Sequence, residues 1–248
     1  MTAWLAEVLR AEGCRVSETS GWTSRGRAGA YSPFAVLNHH TATASASYSN
    51  PAPTLNLCIN GRSDLPGPLC QVMIGYDGTC HIVAAGRANH AGSARSSPPV
   101  PAGDGNAMMV GFEWDYSGTA PPSPEQYQAA ILANAAVLRR MIRDGSYSKG
   151  HRETSNEGKI DPYGVDLDRF RGEVAAQIAR GPGASSPDQE ETEVILIRNS
   201  AGEYSTFTGS HRLRVAGPAD LAAIKSAGVK EPTSAVSDAF YNSIPQAK

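Results

Sequence analysis

The 248-residue sequence contains no long apolar run, and nothing in it approaches the roughly 18 consecutive apolar residues of a membrane span. It also lacks charge of one sign: 22 Lys and Arg stand against 24 Asp and Glu, a net charge of −2. No cluster of basic residues interleaves with aromatics, so nothing draws the chain toward a phosphate backbone, and nucleic acid is excluded as an expected partner. Cysteine is scarce, and Cys14, Cys58, Cys70 and Cys80 show no CxxC spacing, which argues against a cysteine-built zinc site. A disulfide among Cys58, Cys70 and Cys80 in an oxidising compartment and a set of buried free thiols both remain open. The N-terminal MTAWLAEVLRAEGCRV carries acidic residues early in an amphipathic pattern, unlike a signal peptide. A protein with that start, if it works beyond the membrane, needs another way out.

With 40% hydrophobic and 19% charged residues, the chain has the composition of a soluble globular protein with room for one catalytic domain and a small appendage. Trp4, Leu5, Val8 and Leu9 form a helical stripe closed by Gly13. GWTSRGRAG (Gly21 to Gly29) reads as loop, and Phe34 to Asn38 as a strand that delivers His39 and His40 at its end. A Pro- and Asn-rich loop follows. Asp77-Gly78 between the runs Leu69–Tyr76 and Thr79–Ala85 predicts a hairpin. Ser93 to Asn106 reads as loop and Ala107 to Trp114 as strand. Ser123-Pro124-Glu125-Gln126 supplies an N-cap, a first-turn proline and a capping-box glutamine. The helix so begun has an apolar face of Ile131, Leu132, Ala135, Leu138, Met141 and Ile142 and is expected to end at Gly145. KGHRETSNEGKIDPYG reads as loop, and a last helix spans about Asp166 to Arg180 with Leu167, Phe170, Val174 and Ile178 inward.

Residues 181–192, GPGASSPDQEET, have linker composition. They divide a main domain, residues 1–180, from a small C-terminal module, residues 193–248, with three short strands (VILIRN, EYSTFT, HRLRV) and helical patches near Pro218 and Ser237. Tyr204, Phe207, Arg212 and Arg214 suit a ligand surface, a subunit contact or an ordinary surface equally. The fold class is α/β, a mixed central β-sheet flanked by helices, plus a small β-rich α+β module.

Chemistry concentrates in histidine, of which there are six. VLNHHTAT (Val36 to Thr43) ends a strand with two of them. Neighbours in a strand face opposite ways, so one of His39 and His40 can reach a given point. GHRETSNEGKIDP places His151 and Asp161 ten residues apart across a polar loop. Two histidines and one carboxylate make a set of three metal ligands that leaves a fourth position for water. His81 reads as an ordinary strand histidine.

VLNHHTA, DGTCHIVAAGRANHAG, VGFEW and GHRE…GKIDP, in that order, resemble the zinc-dependent N-acetylmuramoyl-L-alanine amidases of the amidase-2 type, whose fold peptidoglycan recognition proteins share. The resemblance covers about Trp4 to Arg171. GWTSRGR, the proline-bearing insertions and the C-terminal module look most like endolysins of phages infecting actinobacteria. It implies one zinc ion per chain held by His39, His151 and Asp161, with Glu113 as general base and Lys159 facing the substrate carbonyl. It places His90 at the substrate rim and has His40 pack or hydrogen-bond beside the site, where it would contribute to substrate binding. The implied substrate is bacterial peptidoglycan, cut between N-acetylmuramic acid and L-alanine. Synthesis in the host cytoplasm, action on the wall after membrane permeabilisation, and self-association through the C-terminal module complete the expectation. The alternatives are a non-catalytic peptidoglycan-binding protein of the same fold and a cytosolic muropeptide-recycling amidase. Thr154, where related endolysins often carry an aromatic, and Trp114-Asp115, where an aliphatic is more usual after the glutamate, depart from the pattern.

Overall fold

The computed structural model describes residues 1–183, 195–207, 212–215 and 221–222. Helix α1 (Leu5–Ala11) turns Leu5, Ala6 and Leu9 inward, and the chain leaves it through Gly13 at φ +92°. After β1 (Val16–Glu18) comes β2 (Ala35–His40), which runs on through both histidines because each registers with a neighbour in the sheet, His39 opposite Glu113 and His40 opposite Trp114. The Pro- and Asn-rich stretch is not all loop. It contains α2 (Leu55–Asn60), which packs Cys58 into a small cluster with Cys70, Met73, Val83 and Ala84. The hairpin at Asp77-Gly78 is present, with Gly78 at φ +81°, but its strands β3 (Val72–Ile74) and β4 (Cys80–Ile82) are shorter than the apolar runs.

The Ser93 to Asn106 segment carries a two-residue ladder, β5 (Ser93–Ala94) with β6 (Gly103–Asp104), and leads into one turn of helix, α3 (Gly105–Met108). Strand β7 (Met109–Trp114) follows, then α4 (Pro124–Arg140). Ser123 caps α4, its Oγ accepting the Gln126 amide at 3.0 Å. The capping box is not closed. Gln126 Nε2 instead donates to the Ile74 and Asp115 carbonyls and so ties the helix to the sheet. The helix also stops before Gly145. Ile142 adopts φ +57°, its amide bonding the Arg139 carbonyl while Arg143 N–H reaches Leu138 O, the paired closure of a Schellman end. Ile142 is therefore 86% exposed and no part of the apolar face. The segment between α4 and the last helix, read as loop, holds β8 (Ser148–Gly150) and α5 (His151–Thr154). In α6 (Leu167–Arg180) the Asp166 side chain caps the first turn and Leu167, Phe170 and Val174 are buried.

The six strands order as β1-β4-β3-β7-β2-β8. Strands β3, β7, β2 and β8 run parallel, while β4 pairs antiparallel with β3 and parallel with β1. This is a mixed central sheet flanked by helices. One face buries Val36, Val72, Ile82, Phe112 and Trp114 against α1, α4 and α6. The other is covered by α2 and by the chain around Ala94, Val100 and Met109. All four cysteines are buried free thiols.

The chain divides into two compact units, Met1–Ala184 and Ser185–Lys248. In the second, β9 (Ile195–Arg198), β10 (Tyr204–Phe207) and β11 (Arg212–Arg214) form an antiparallel sheet ordered β11-β10-β9, with Leu196 and Ile197 buried. Most of the linker, the helical patches near Pro218 and Ser237, and the side chains of Phe207, Arg212 and Arg214 lie outside the described residues. Among the described residues no helix is long and apolar enough to cross a membrane.

Candidate metal centre

Parallel strands bring their C-terminal ends to one edge, the edge at which α/β sheets collect ligands. His39 is the penultimate residue of β2, and His151 directly follows β8, its parallel neighbour. Asp161 is brought to them by the chain after α5, which Arg152 fastens down. The Arg152 amide donates to the Asp161 carbonyl at 2.9 Å, and its guanidinium donates to the carbonyls of Pro162 and Val165. Glu153 accepts the Gly150 amide at 2.9 Å and pairs with Arg171 at 2.8 Å, which holds the start of α5. Each residue of GHRE thus has a task in delivering His151 and Asp161.

The three side chains converge. His39 Nδ1 lies 3.1 Å from His151 Nδ1, and Asp161 Oδ2 lies 3.0 Å from each of them. All three residues are buried. A tetrahedral ion with N and O bonds of about 2.0–2.1 Å has edges of roughly 3.3 Å, so the triangle is one metal-sized face with a small contraction left to open. Burial drives the His39 imidazole down to about 4, with the Asp161 hydrogen bond pulling the other way. Burial opposes ionisation of Asp161, yet the hydrogen bonds of His151 and His39 outweigh it and hold the carboxyl well below the usual carboxylate range. An uncharged imidazole at His39 and an anionic Asp161 are the states a metal requires of them. The donor set fits a divalent ion.

An open cavity of about 250 Å³ lies over the triangle and is bordered by His40, Cys58, His90, Glu113 and Lys159. Glu113 stands beside His39 on the adjacent strand. Its Oε2 has no hydrogen-bond partner among the described residues, and burial, then Cys58 and the Asp161 charge, push its carboxyl well above the usual range. Lys159 is at the rim, half exposed, with its ammonium 3.6 Å from Glu157. His90 borders the cavity and also touches a residue of the triangle. Its ring sits against His39, with Nδ1 3.1 Å from His39 Nε2 and Nε2 3.3 Å from the Met109 carbonyl. Burial, followed by the neighbouring His39 and His151, lowers its pKa well below the ordinary histidine value. His40 turns the opposite way, as strand alternation demands. Its Nδ1 accepts the Tyr163 amide at 3.0 Å and its ring packs edge-on against Tyr116. One histidine of the pair therefore faces the triangle while the other anchors the chain just past Asp161.

Two supporting groups escape sequence reading. Asn38, between the two sheet neighbours of the site, hydrogen-bonds Asn134 of α4, Ser148 and the Lys149 carbonyl at 3.0–3.2 Å, and accepts Trp114 Nε1 at 3.2 Å. The signal available was a polar residue at an inward strand position. Asp115 accepts Thr41 Oγ1 at 2.7 Å and both Thr54 N and Oγ1 at 3.0 and 2.8 Å, pinning the chain between β2 and α2. Trp114-Asp115 is thus accounted for by packing and loop anchorage. Thr154 is buried, and its carbonyl accepts the Arg95 amide at 2.7 Å.

The sequence profile described as N-acetylmuramoyl-L-alanine amidase matches residues 30–164, more than half the chain and every residue of the triangle. The chain belongs to this amidase family. No curated protein sequence matches it. Among solved structures similar to this family member is a selenomethionine derivative of AmpD, 19% identical, with 70% of this chain and 98% of that one covered at a TM-score of 0.48. Another is the endolysin N-acetylmuramoyl-L-alanine amidase LysCS from Clostridium intestinale URNW, 17% identical, with coverages of 64% and 94% and a TM-score of 0.46. A Drosophila PGRP-LB mutant in complex with tracheal cytotoxin is 19% identical, with coverages of 69% and 97% and a TM-score of 0.44.

Proposed function

We propose that this amidase is a zinc-dependent peptidoglycan hydrolase, an endolysin of a phage infecting actinobacteria, that cuts the amide between N-acetylmuramic acid and L-alanine. The observation that carries the reading is the 3.0–3.1 Å triangle of His39, His151 and Asp161, open to a cavity that Glu113 also lines. In this reading His39, His151 and Asp161 hold one zinc ion per chain. Zinc bound there supplies Lewis acidity to the scissile carbonyl and to the attacking water. Glu113, with its affinity for a proton raised by burial, takes one from that water on its carboxylate and delivers it to the departing L-alanine amine. Lys159, free to swing from Glu157 at the exposed rim, places positive charge beside the oxygen that becomes anionic. His40 keeps the chain after Asp161 in place and lends its ring to the cavity wall, on the substrate side.

The same reading makes residues 185–248 a wall-anchoring or self-associating unit, joined through a linker that keeps the catalytic unit near a polymeric substrate. It also has the chain made in the host cytoplasm and reaching the wall once the membrane is permeabilised.

The test is product analysis on actinobacterial peptidoglycan alongside metal content. Purified protein should carry about one zinc per chain and release free L-alanine N-termini, and chelation should stop it. Intact sacculi should be turned over faster than a soluble muramyl peptide, whereas the reverse would favour a recycling amidase. Intact wall after incubation with zinc-loaded protein would overturn the hydrolase reading in favour of a binding protein.

A further inference from the structure

The geometry points to His90 as the positioning residue for His39: it accepts the His39 Nε2–H and so turns the lone pair of His39 Nδ1 toward the ligand triangle. This rests on the zinc reading and adds to it a residue outside the ligand set. With a metal ion taking the lone pairs of His39 Nδ1 and Asp161 Oδ2, the remaining hydrogen bonds have a fixed sense, because their far end is a carbonyl, which can only accept. His90 Nε2 therefore donates to Met109 O across 3.3 Å. A neutral imidazole carries one N–H, so His90 Nδ1 is left as an acceptor, and His39 Nε2, 3.1 Å away, is the donor to it. His39 then has no proton at Nδ1, the atom 3.0–3.1 Å from Asp161 Oδ2 and His151 Nδ1. The backbone carbonyl of β7 thus selects the tautomer of a ligand one strand away, with His90 as the intermediary. Metal-bound histidines take orientation and basicity from such outer partners.

The fold is built around this ring in two further ways. Gly111 of β7 lies under it, and a Cβ at that position would stand 2.6–2.9 Å from three ring atoms of His90. Asn106 clamps the segment that carries it, its Oδ1 accepting the amides of His90 at 2.8 Å, Ala91 at 2.7 Å and Gly92 at 3.3 Å. Both ring nitrogens of His90 are engaged within the chain.

The experiment measures zinc affinity of the full-length metal-free protein by competition with a chromophoric chelator, and the visible spectrum of the Co(II)-loaded form. His90→Leu should bind zinc about 10–100-fold more weakly, the usual cost of losing an outer partner, and should shift the cobalt bands. His90→Asn, whose side-chain oxygen can accept in place of Nδ1, should recover most of the affinity. Gly111→Ala, which displaces the ring while keeping His90, should behave like His90→Leu and stands in for it if that variant does not fold. Unchanged affinity and cobalt spectrum in His90→Leu or Gly111→Ala, or equal loss in His90→Leu and His90→Asn, would overturn the assignment. Wild-type protein that binds no zinc would instead sink the zinc reading itself.

Discussion

Strand β2 presents two polar faces to the interior, and they differ in how fully they are satisfied. On the helix side the Asn38 amide nitrogen reaches Asn134 Oδ1, Ser148 Oγ and Lys149 O, while its oxygen accepts from Asn134 and Trp114. Ser148 Oγ closes the cluster by donating to Asn134 Oδ1 at 2.8 Å. One residue along, on the other face, His39 meets two more lone-pair donors across 3.0–3.1 Å, and Glu113 beside it holds an oxygen with no partner among the described residues. Buried polar groups are nearly always paired, so a closed network on one side and an open one on the other separate two purposes. The closed side fixes β2, β8 and α4 to one another, and hence His39 relative to His151. The open side keeps its unmet valences for a ligand.

The sharpest way to break this contrast is to fill the open side with a shape-matched neutral group. Glu113→Gln should lower turnover about 10²–10⁴-fold, the contribution of a positioned acid–base group. Zinc content should stay the same and the melting temperature should not fall, because the change removes a buried ionisable carboxyl whose charged form is disfavoured there. Peptidoglycan turnover, metal analysis and a thermal scan on one preparation check all three. A Glu113→Gln protein that is active but unstable would place Glu113 with the structural face.

The next effect is in pH. His39 is held at about 4 in the folded metal-free chain, against roughly 6.5 when unfolded. Between these values the unfolded chain binds a proton that the folded one does not, so stability falls as pH is lowered from about 6.5 to about 4, by about 3 kcal/mol in all. Asp161 works in a different window: its pKa is depressed, and its stabilisation is lost below its ordinary carboxylate value. Urea unfolding in chelator at pH 7, 5.5 and 4.5 should show the acid slope in wild type and a flatter one in His39→Asn. Parallel slopes would mean that His39 is not desolvated as the geometry requires.

What sequence makes legible follows the same divide between local and distant causes. The start of α4 can be read because Ser123 and Pro124 act within one turn, and the hairpin at Asp77-Gly78 because the turn itself dictates it. The triangle can be read because ordered motifs carry His39, His151 and Asp161, which the structure brings together. Helix α2 cannot, since what holds it is Cys58 packing on Met73 and Val83 rather than any local pattern. Periodicity alone carries the apolar stripe of α4 on to Ile142, where a left-handed turn has already ended the helix. His90 was visible as a histidine near the site, but its partner is a carbonyl 19 residues later, and no spacing rule encodes that.

The smallest effect tests the closed side. Asn38 and Asn134 are 96 residues apart and exchange two hydrogen bonds, Asn38 Nδ2 to Asn134 Oδ1 at 3.2 Å and Asn134 Nδ2 to Asn38 Oδ1 at 3.0 Å. Replacing either one by leucine strands the other in an apolar interior, at about 1–3 kcal/mol each. Replacing both removes donor and acceptor together, so the double variant should lose less than the sum of the two single losses. What it still loses comes from Trp114 Nε1, Ser148 and the Lys149 carbonyl, which are left without Asn38. Denaturant unfolding of the four proteins gives the coupling directly. Additive losses would show that the two amides act independently, and the frame behind His39 would then have to come from the backbone pairing of β2 with β7 and β8 alone.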